Sequence, residues 1–219
     1  MNLIETTLIH RIIPPRHKDS NLNPALILLH GRGTDENDLL GLSEYLDDRF
    51  LCISVRAPFP FEEGGGYTWY DIIDIGKPEP VMQAESYRKL KQFISHAIKD
   101  YPIDPKGIYL LGFSMGSMMS YTLALTHPEL FRGVVANSGY IPEESEPRYR
   151  WSNIGKLPFY VSHGIYDPVI PVQFGREAAD TLKKNNALVE YHEYPMGHEI
   201  SEESLHDMGL WLTGQLDSL

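Results

Sequence analysis

Residues 107–126 read GIYLLGFSMGSMMSYTLALT. An apolar run of strand length opens this segment, and a run with the length and composition of a buried helix closes it. Between the two lies GFSMG, a G-x-S-x-G motif with Ser114 at its centre. A sharp turn from strand to helix strains the central residue, and flanking glycines remove side chains that would collide there. The motif therefore predicts that the Ser114 hydroxyl stands above a sheet, at a helix N-terminus where negative charge is favoured.

The rest of the chain alternates between the same two kinds of segment. Apolar runs predict buried strands at residues 25–30, 50–55, 107–113, 133–138, 159–164 and 188–194. Helical patterns lie at residues 36–48, 82–100, 115–126, 172–185 and 199–216. Parallel strands need crossover connections, so we expect an α/β protein with a mostly parallel central sheet and helices on both faces. Residues near 3 to 13 predict an antiparallel edge strand or hairpin.

No internal repeat, low-complexity tract or Gly/Ser linker divides the sequence, so residues 1–219 are expected to form a single domain. Two stretches, at residues 57–80 and 140–157, do not fit the alternation. Loops of this length in a compact domain are typically lids or binding loops, which makes both candidates for the functional site.

The composition excludes several classes of partner. A formal net charge of −11 opposes binding to nucleic acid and to anionic membrane surfaces. No apolar run reaches the ~18 residues of a membrane-spanning helix, and the N-terminus lacks the pattern of a secretory signal. The single cysteine, Cys52, rules out an intrachain disulfide. We therefore expect a cytoplasmic protein.

A serine hydroxyl is a poor nucleophile and needs a base, usually a histidine, within hydrogen-bond reach. The chain has 9 histidines. His198 lies in PMGHE, between the last predicted strand and the last predicted helix, where a loop residue can reach over the carboxyl edge of the sheet. It is the predicted general base. His163, at the end of another predicted strand, stays open as a weaker alternative.

The imidazole in turn needs a carboxylate that fixes its tautomer. Asp167 follows the penultimate predicted strand, at the edge where ligands bind in open parallel sheets, and is the predicted acid. Asp71 and Asp74 are competing carboxylates, but both precede the nucleophile in a different loop. The order Ser114, Asp167, His198 is that of the α/β-hydrolase fold, which is the fold we predict.

The oxyanion of an acyl-transfer intermediate needs two hydrogen-bond donors. One is predicted to be the backbone N–H of Met115, and the other the backbone N–H of Arg32 in HGRGTD. That loop also fits a strand-to-helix turn capped by Thr34 or Asp35, and both interpretations can hold together. The sequence has no zinc-binding spacing and no nucleotide-binding glycine motif, so we expect no metal and no cofactor.

Together these motifs resemble the phospholipase/carboxylesterase family, which includes acyl-protein thioesterases and small bacterial carboxylesterases. The resemblance runs from Ala25 to the C-terminus and rests on LLHGRGTDE, WYD, GFSMG, HGIYDPVIP and GHEI. It implies the same nucleophile, acid, base and oxyanion donors, and it implies that Trp69 and Tyr70 contact the substrate. From the residues alone, Trp69 and Tyr70 are equally compatible with a place in the protein core. Because the family often forms dimers, a homodimer is a further expectation.

Two positions depart from the pattern of the eukaryotic thioesterases. Those enzymes carry a glutamine after the nucleophile and a second glycine after the elbow, where this chain has Met115 and Ser117. The oxyanion donor is a backbone group, so the departure leaves the predicted chemistry in place.

We therefore expect a serine hydrolase that cleaves small carboxylic esters or thioesters through an acyl-enzyme on Ser114. Acyl transfer to an alcohol and lactone opening on the same three residues stay open as alternatives. A third alternative, of another class, is a silenced hydrolase acting as a ligand-binding receptor. The apolar and aromatic residues of the segment at 57–80 favour an uncharged acyl or aryl group.

Overall fold

The computed structural model describes residues 4, 6–18, 20–144 and 147–218. Residues 3 and 5 of the predicted edge segment, and residues 145–146 of the second long loop, lie outside that range. The strands of the main sheet are β1 (His10–Ile13), β2 (Asn23–Leu29), β3 (Leu51–Val55), β4 (Ile103–Phe113), β5 (Gly133–Asn137), β6 (Pro158–Gly164) and β7 (Leu188–Tyr194). The α-helices are α1 (Pro80–Asp100), α2 (Met115–Thr126), α3 (Val172–Lys184) and α4 (Glu202–Asp217). Among these described helices, none is long and apolar enough to cross a membrane.

The described strands form a seven-stranded sheet in the order β1-β3-β2-β4-β5-β6-β7. Neighbours run parallel, except that β1 pairs antiparallel with β3 at the edge. The predicted α/β class and the antiparallel edge strand are therefore confirmed. The edge strand is shorter than the predicted segment, because pairing with β3 extends only from His10 to Ile13.

Helices cover both faces of the sheet, as the alternation predicts. The side chains of β2 divide between the faces, with Ala25, Ile27 and Leu29 in the core that includes residues of α1, α2 and α3. Leu26 and Leu28 lie in the second core, against α4. Burial on both faces explains why the strands read as continuous apolar runs and not as alternating ones.

The predicted helix at residues 36–48 is wrong. Within this stretch, the described structure is helical only over Leu40–Glu44, as a 3-10 helix. The residues before it form successive i→i+3 turns, such as Leu40 N–H to Asn37 O at 3.3 Å. The Asp35 carboxylate accepts the Asn37 N–H at 2.9 Å, which stabilises a turn in place of a helix start. Asp occurs three times in this stretch, and Asn37, Gly41 and Ser43 are also present, all residue types with low helix propensity.

Two helices begin at different residues from those predicted, because of their caps. α1 begins at Pro80 instead of residue 82, since the Glu79 carboxylate accepts backbone N–H groups of the first turn and proline suits the first helical position. α4 begins at Glu202 instead of residue 199. Its cap is Ser201, whose Oγ accepts the Ser204 N–H at 3.2 Å.

The segment at residues 57–80 folds into two short antiparallel ribbons. Phe59–Pro60 pairs with Tyr67–Thr68, and Ile72–Asp74 pairs with Lys77–Pro78. Tyr67 also joins the segment to the loop after β2, because its N–H donates to Thr34 O at 2.8 Å and its carbonyl accepts the Gly33 N–H at 2.9 Å. These contacts hold the segment at the carboxyl edge of the sheet.

Candidate active site

Ser114 lies at the turn between β4 and α2 with φ 53° and ψ −119°. Such a conformation costs a residue with a Cβ about 1–3 kcal/mol, so the surrounding structure must hold it in place. Neither flanking glycine has room for a side chain. A Cβ on Gly112 would lie 2.4 Å from the backbone of Gly116, and a Cβ on Gly116 would lie 1.8 Å from Leu29 O of β2. The turn thus has the strained geometry that the motif predicts.

Asn137, at the end of β5, supports this turn from the neighbouring strand. Its carbonyl accepts the Ser114 N–H at 2.9 Å, and its side-chain Nδ2 donates to Gly112 O at 3.2 Å. Ser117 Oγ lies 2.7 Å from Asn137 O and 2.8 Å from Gly112 O. The Ser117 hydroxyl therefore joins the first turn of α2 to both strands. Sequence reasoning missed Asn137, whose sole signal is its place at the end of a predicted strand.

His198 lies in the loop between β7 and α4, beside the nucleophile. Its Nε2 is 2.9 Å from Ser114 Oγ, and its Nδ1 is 2.7 Å from Asp167 Oδ2. Because an ionised carboxylate only accepts, Nδ1 carries the proton and Nε2 is the acceptor for the serine hydroxyl. The ring also packs against Phe113, with ring centroids 5.0 Å apart. This is the tautomer that a general base needs.

Asp167 lies in the loop after β6, and its carboxylate is fully buried. Oδ1 accepts the backbone N–H groups of Val169 and Ile170, both at 2.8 Å, while Oδ2 faces His198. Three charge-assisted hydrogen bonds therefore fix the carboxylate in one orientation. The structure thus brings together the three side chains that the sequence singled out.

The two predicted oxyanion donors flank this group. Met115 is the first residue of α2, a position whose N–H has no partner inside the helix. Arg32 follows His30, whose buried ring shapes the loop: the Ala57 N–H donates to its Nε2 at 3.0 Å, and its Nδ1–H donates to Gly31 O at 2.6 Å. Burial lowers the pKa of His30, so the neutral ring keeps both bonds. His30 ends a predicted strand and precedes a glycine, a place where the sequence favours a structural hydrogen bond, and its ring makes two.

A cavity of about 170 Å³ opens beside Ser114. Its lining is apolar apart from Arg32, Ser114 and the Tyr140 hydroxyl, and comprises Arg32, Ile72, Ile75, Ser114, Met115, Met118, Tyr140, Val169, Ile170, Pro171 and Phe174. The Arg32 guanidinium lies over the Phe61 ring, 4.2 Å from its centroid, and 3.7 Å from the Asp71 carboxylate. The cavity therefore offers space for an uncharged group next to the nucleophile.

Trp69 and Tyr70 are both buried, and neither belongs to the cavity lining. Trp69 Nε1–H donates to His30 O at 2.9 Å, and Tyr70 Oη–H donates to the sulfur of Met118 at 3.3 Å. Trp69 therefore packs behind the loop at His30, and Tyr70 packs behind Met118, which lines the cavity. Their predicted contact with substrate stays a prediction.

The rival carboxylates do not take part in the hydrogen bonds of this site. Asp71 contacts Arg32, and Asp74 accepts the N–H of Ile75 at 2.8 Å in the exposed ribbon. Within the described residues, no group of three His, Cys, Asp or Glu side chains is arranged to hold a metal ion.

The sequence profile of the phospholipase/carboxylesterase family matches residues 9–214. The chain therefore belongs to the phospholipase/carboxylesterase family. Acyl-protein thioesterase 1 of Debaryomyces hansenii is 29% identical over 202 residues, which cover 84% of this chain and 87% of that protein. Acyl-protein thioesterase 1 of Candida albicans is 30% identical over 214 residues, with coverage of 86% and 90%.

The crystal structure of the Bacillus cereus carboxylesterase has a similar fold. It superposes on this chain with a TM-score of 0.84 and 23% identity, and the match covers 95% of each chain. Membership makes this chain a hydrolase, as the motifs predict. The family profile and the structural likeness both indicate the α/β-hydrolase fold, and the observed sheet agrees with it.

Proposed function

We propose that this phospholipase/carboxylesterase family member hydrolyses small carboxylic esters or thioesters through an acyl-enzyme on Ser114. The proposal is carried by the continuous contact from Asp167 Oδ2 through His198 to Ser114 Oγ, at 2.7 Å and 2.9 Å. A nucleophile, a base and an acid at these distances match the requirements of covalent acyl transfer.

In the proposed first step, His198 Nε2 takes the hydroxyl proton as Ser114 Oγ forms a bond to the substrate carbonyl carbon. The backbone N–H groups of Arg32 and Met115 stabilise the resulting oxyanion. The bond to the leaving alcohol or thiol then breaks, and His198 returns the proton to that group. Water attacks the acyl-enzyme with the same roles reversed, which releases the carboxylic acid and restores Ser114.

The cavity supports a short, uncharged acyl or aryl group as the part bound beside Ser114. Its volume is about 170 Å³. This is small compared with the ~300–1,000 Å³ of sites for drug-sized ligands. Its lining is predominantly apolar, so the transfer of an apolar group from water favours binding there.

Replacing Ser114 by Ala tests the proposal. If the three residues act as a unit, turnover of a short p-nitrophenyl ester should fall on the order of 10⁶-fold, because the base then has no hydroxyl to activate. The measurement is the rate of p-nitrophenol release. Ser152→Ala, at an exposed position, is the matched serine control and should keep the wild-type rate. Near-wild-type turnover by Ser114→Ala would contradict the proposal.

Two further experiments separate hydrolysis from the alternatives. Product analysis in the presence of a competing alcohol distinguishes it from acyl transfer, since a hydrolase gives the free acid as its main product. Covalent labelling of Ser114 by a fluorophosphonate distinguishes an active hydrolase from a silenced receptor, which would have no activated serine.

We also propose a cytoplasmic location, supported by the single cysteine and the acidic composition. The predicted homodimer stays a prediction, which sedimentation analysis at several protein concentrations would test.

A further inference from the structure

His163 is a buried histidine that the proposed reaction steps do not use. It is the penultimate residue of β6, four residues before Asp167, and its side chain is fully buried. Its Nε2 is 2.7 Å from Ile170 O and 3.4 Å from Asp167 Oδ2. The same Asp167 oxygen accepts the hydrogen bond from His198. A second histidine therefore stands beside the acid.

The contacts fix the protonation of this ring. A backbone carbonyl only accepts, so His163 Nε2 must carry a proton and donate it to Ile170 O. Nδ1 is buried and has no hydrogen-bond partner among the described residues. A second proton there would leave a buried N–H unpaired, which is costly. Burial also lowers the pKa of His163, although its hydrogen bond to Ile170 acts in the opposite direction.

Ile170 links His163 to the acid. Its N–H donates to Asp167 Oδ1 at 2.8 Å, while its carbonyl accepts the His163 Nε2–H. The loop from Asp167 to Ile170 therefore wraps around the carboxylate. The His163 ring ties the Ile170 carbonyl to β6. Without that tie, the backbone of Ile170 would lose its link to the sheet, and its N–H could turn away from Asp167.

Helix α3 packs against the His163 ring at Gly175, where a larger residue would collide with the ring. A Cβ on Gly175 would lie 2.6 Å from His163 Nδ1 and 3.0 Å from His163 Cγ. Alanine is favoured over glycine inside a helix, so glycine at this position runs against helix propensity. The Gly175 position thus allows the ring to sit where it reaches both Ile170 O and Asp167.

We propose that His163 is a positioning residue, whose Nε2–H ties the Ile170 carbonyl to β6 and so keeps the Asp167 carboxylate aligned with His198. The inference rests on the proposed function, because it assigns His163 a role in holding the proposed acid. His163 does not touch the reacting atoms. It acts through Asp167 alone. Its effect on kcat should therefore depend on the presence of Asp167, which a general structural role does not predict.

A double-mutant cycle between His163 and Asp167 tests the inference. His163→Met keeps a side chain of similar length and removes the donor, and it should lower kcat for a short p-nitrophenyl ester by ~10- to 100-fold, the effect of a small misplacement in a catalytic group. In an Asp167→Asn background, the same change should alter kcat by less than about twofold, because residues that act as one unit are not additive. An equal factor in both backgrounds, or no loss in either, overturns the inference.

Two further variants keep the test decisive if His163→Met folds poorly. His163→Gln retains an N–H near the Nε2 position and should recover most of the lost kcat. Gly175→Ala retains the His163 side chain but displaces its ring, and it should lower kcat for the same reason. Loss of kcat in His163→Gln equal to that in His163→Met, or unchanged kcat in Gly175→Ala, speaks against the hydrogen bond as the cause.

Ser114→Ala, assayed in parallel, separates this inference from the proposed function. If Ser114→Ala hydrolyses the ester at the wild-type rate, the proposed function fails and the inference fails with it. If Ser114→Ala is inactive and the cycle is additive, the inference alone fails.

Discussion

Asp167 shows how backbone contacts decide the behaviour of one side chain. Its Oδ1 is occupied by the N–H groups of Val169 and Ile170, and its Oδ2 is left for His198. The carboxylate cannot rotate without breaking several hydrogen bonds at once. It therefore holds the imidazole in the tautomer that leaves Nε2 free to accept the proton of Ser114.

Asp167→Asn should lower kcat by ~10⁴-fold while leaving the fold intact. The two backbone donors should hold the Asn carbonyl oxygen at the Oδ1 position, so the amide group would point at His198 Nδ1 and impose the wrong tautomer. The measurement is kcat for a short p-nitrophenyl ester. Asp74→Asn, in the exposed ribbon, is the matched control and should stay within about twofold of wild type. Equal losses in the two variants would argue against Asp167 as the acid.

The elements bring these residues together because parallel strands end at one edge of the sheet. The loops after β2, β4, β6 and β7 carry Arg32, Ser114, Asp167 and His198. This arrangement follows from the alternating pattern, since crossover helices return each strand in the same direction. The short helix at Leu40–Glu44 was mispredicted because side-chain and backbone turns at Asp35 compete with the helix. Local propensity alone did not reveal which of the two conformations prevails.

Ser201→Ala should lower the free energy of unfolding by ~1 kcal/mol, because it removes the acceptor for the Ser204 N–H at the start of α4. Urea denaturation measures this loss from the shift of the midpoint. Ser218→Ala, at the other end of the same helix, is the matched control, and its effect should stay within ~0.5 kcal/mol. A Ser201→Ala midpoint equal to that of wild type would show that the cap contributes nothing.

At the scale of the whole molecule, the cavity is built from segments far apart in the chain. Ile72 and Ile75 come from the ribbon before α1, Met118 from α2, Tyr140 from the loop after β5, and Phe174 from α3. The Tyr140 and Phe174 rings lie against each other with centroids 5.7 Å apart, and they limit the space beside Ser114. The size of the bound acyl group thus depends on packing between elements.

Phe174→Ala should shift the preference toward longer acyl chains. The truncation opens the cavity, and each extra methylene that gains an apolar environment contributes ~0.8 kcal/mol. The ratio of kcat/KM for an octanoate to that for a butyrate p-nitrophenyl ester should rise by on the order of tenfold. Tyr45→Ala, which truncates an exposed aromatic residue outside the cavity lining, should leave the ratio unchanged. An unchanged ratio in Phe174→Ala would remove Phe174 as a determinant of acyl length.

The sequence by itself determined the alternation of strands and helices, the strained turn at Ser114, and the loops that carry Asp167 and His198. These features depend on local patterns: apolar runs, glycine spacing and the order of motifs along the chain. The tertiary structure alone decided the strand order β1-β3-β2, the lining of the cavity, the burial of Trp69 behind the His30 loop and the place of His163 beside Asp167. Each of these depends on contacts between side chains or strands brought together from separate elements, and periodicity along one element does not encode how its side chains meet those of another.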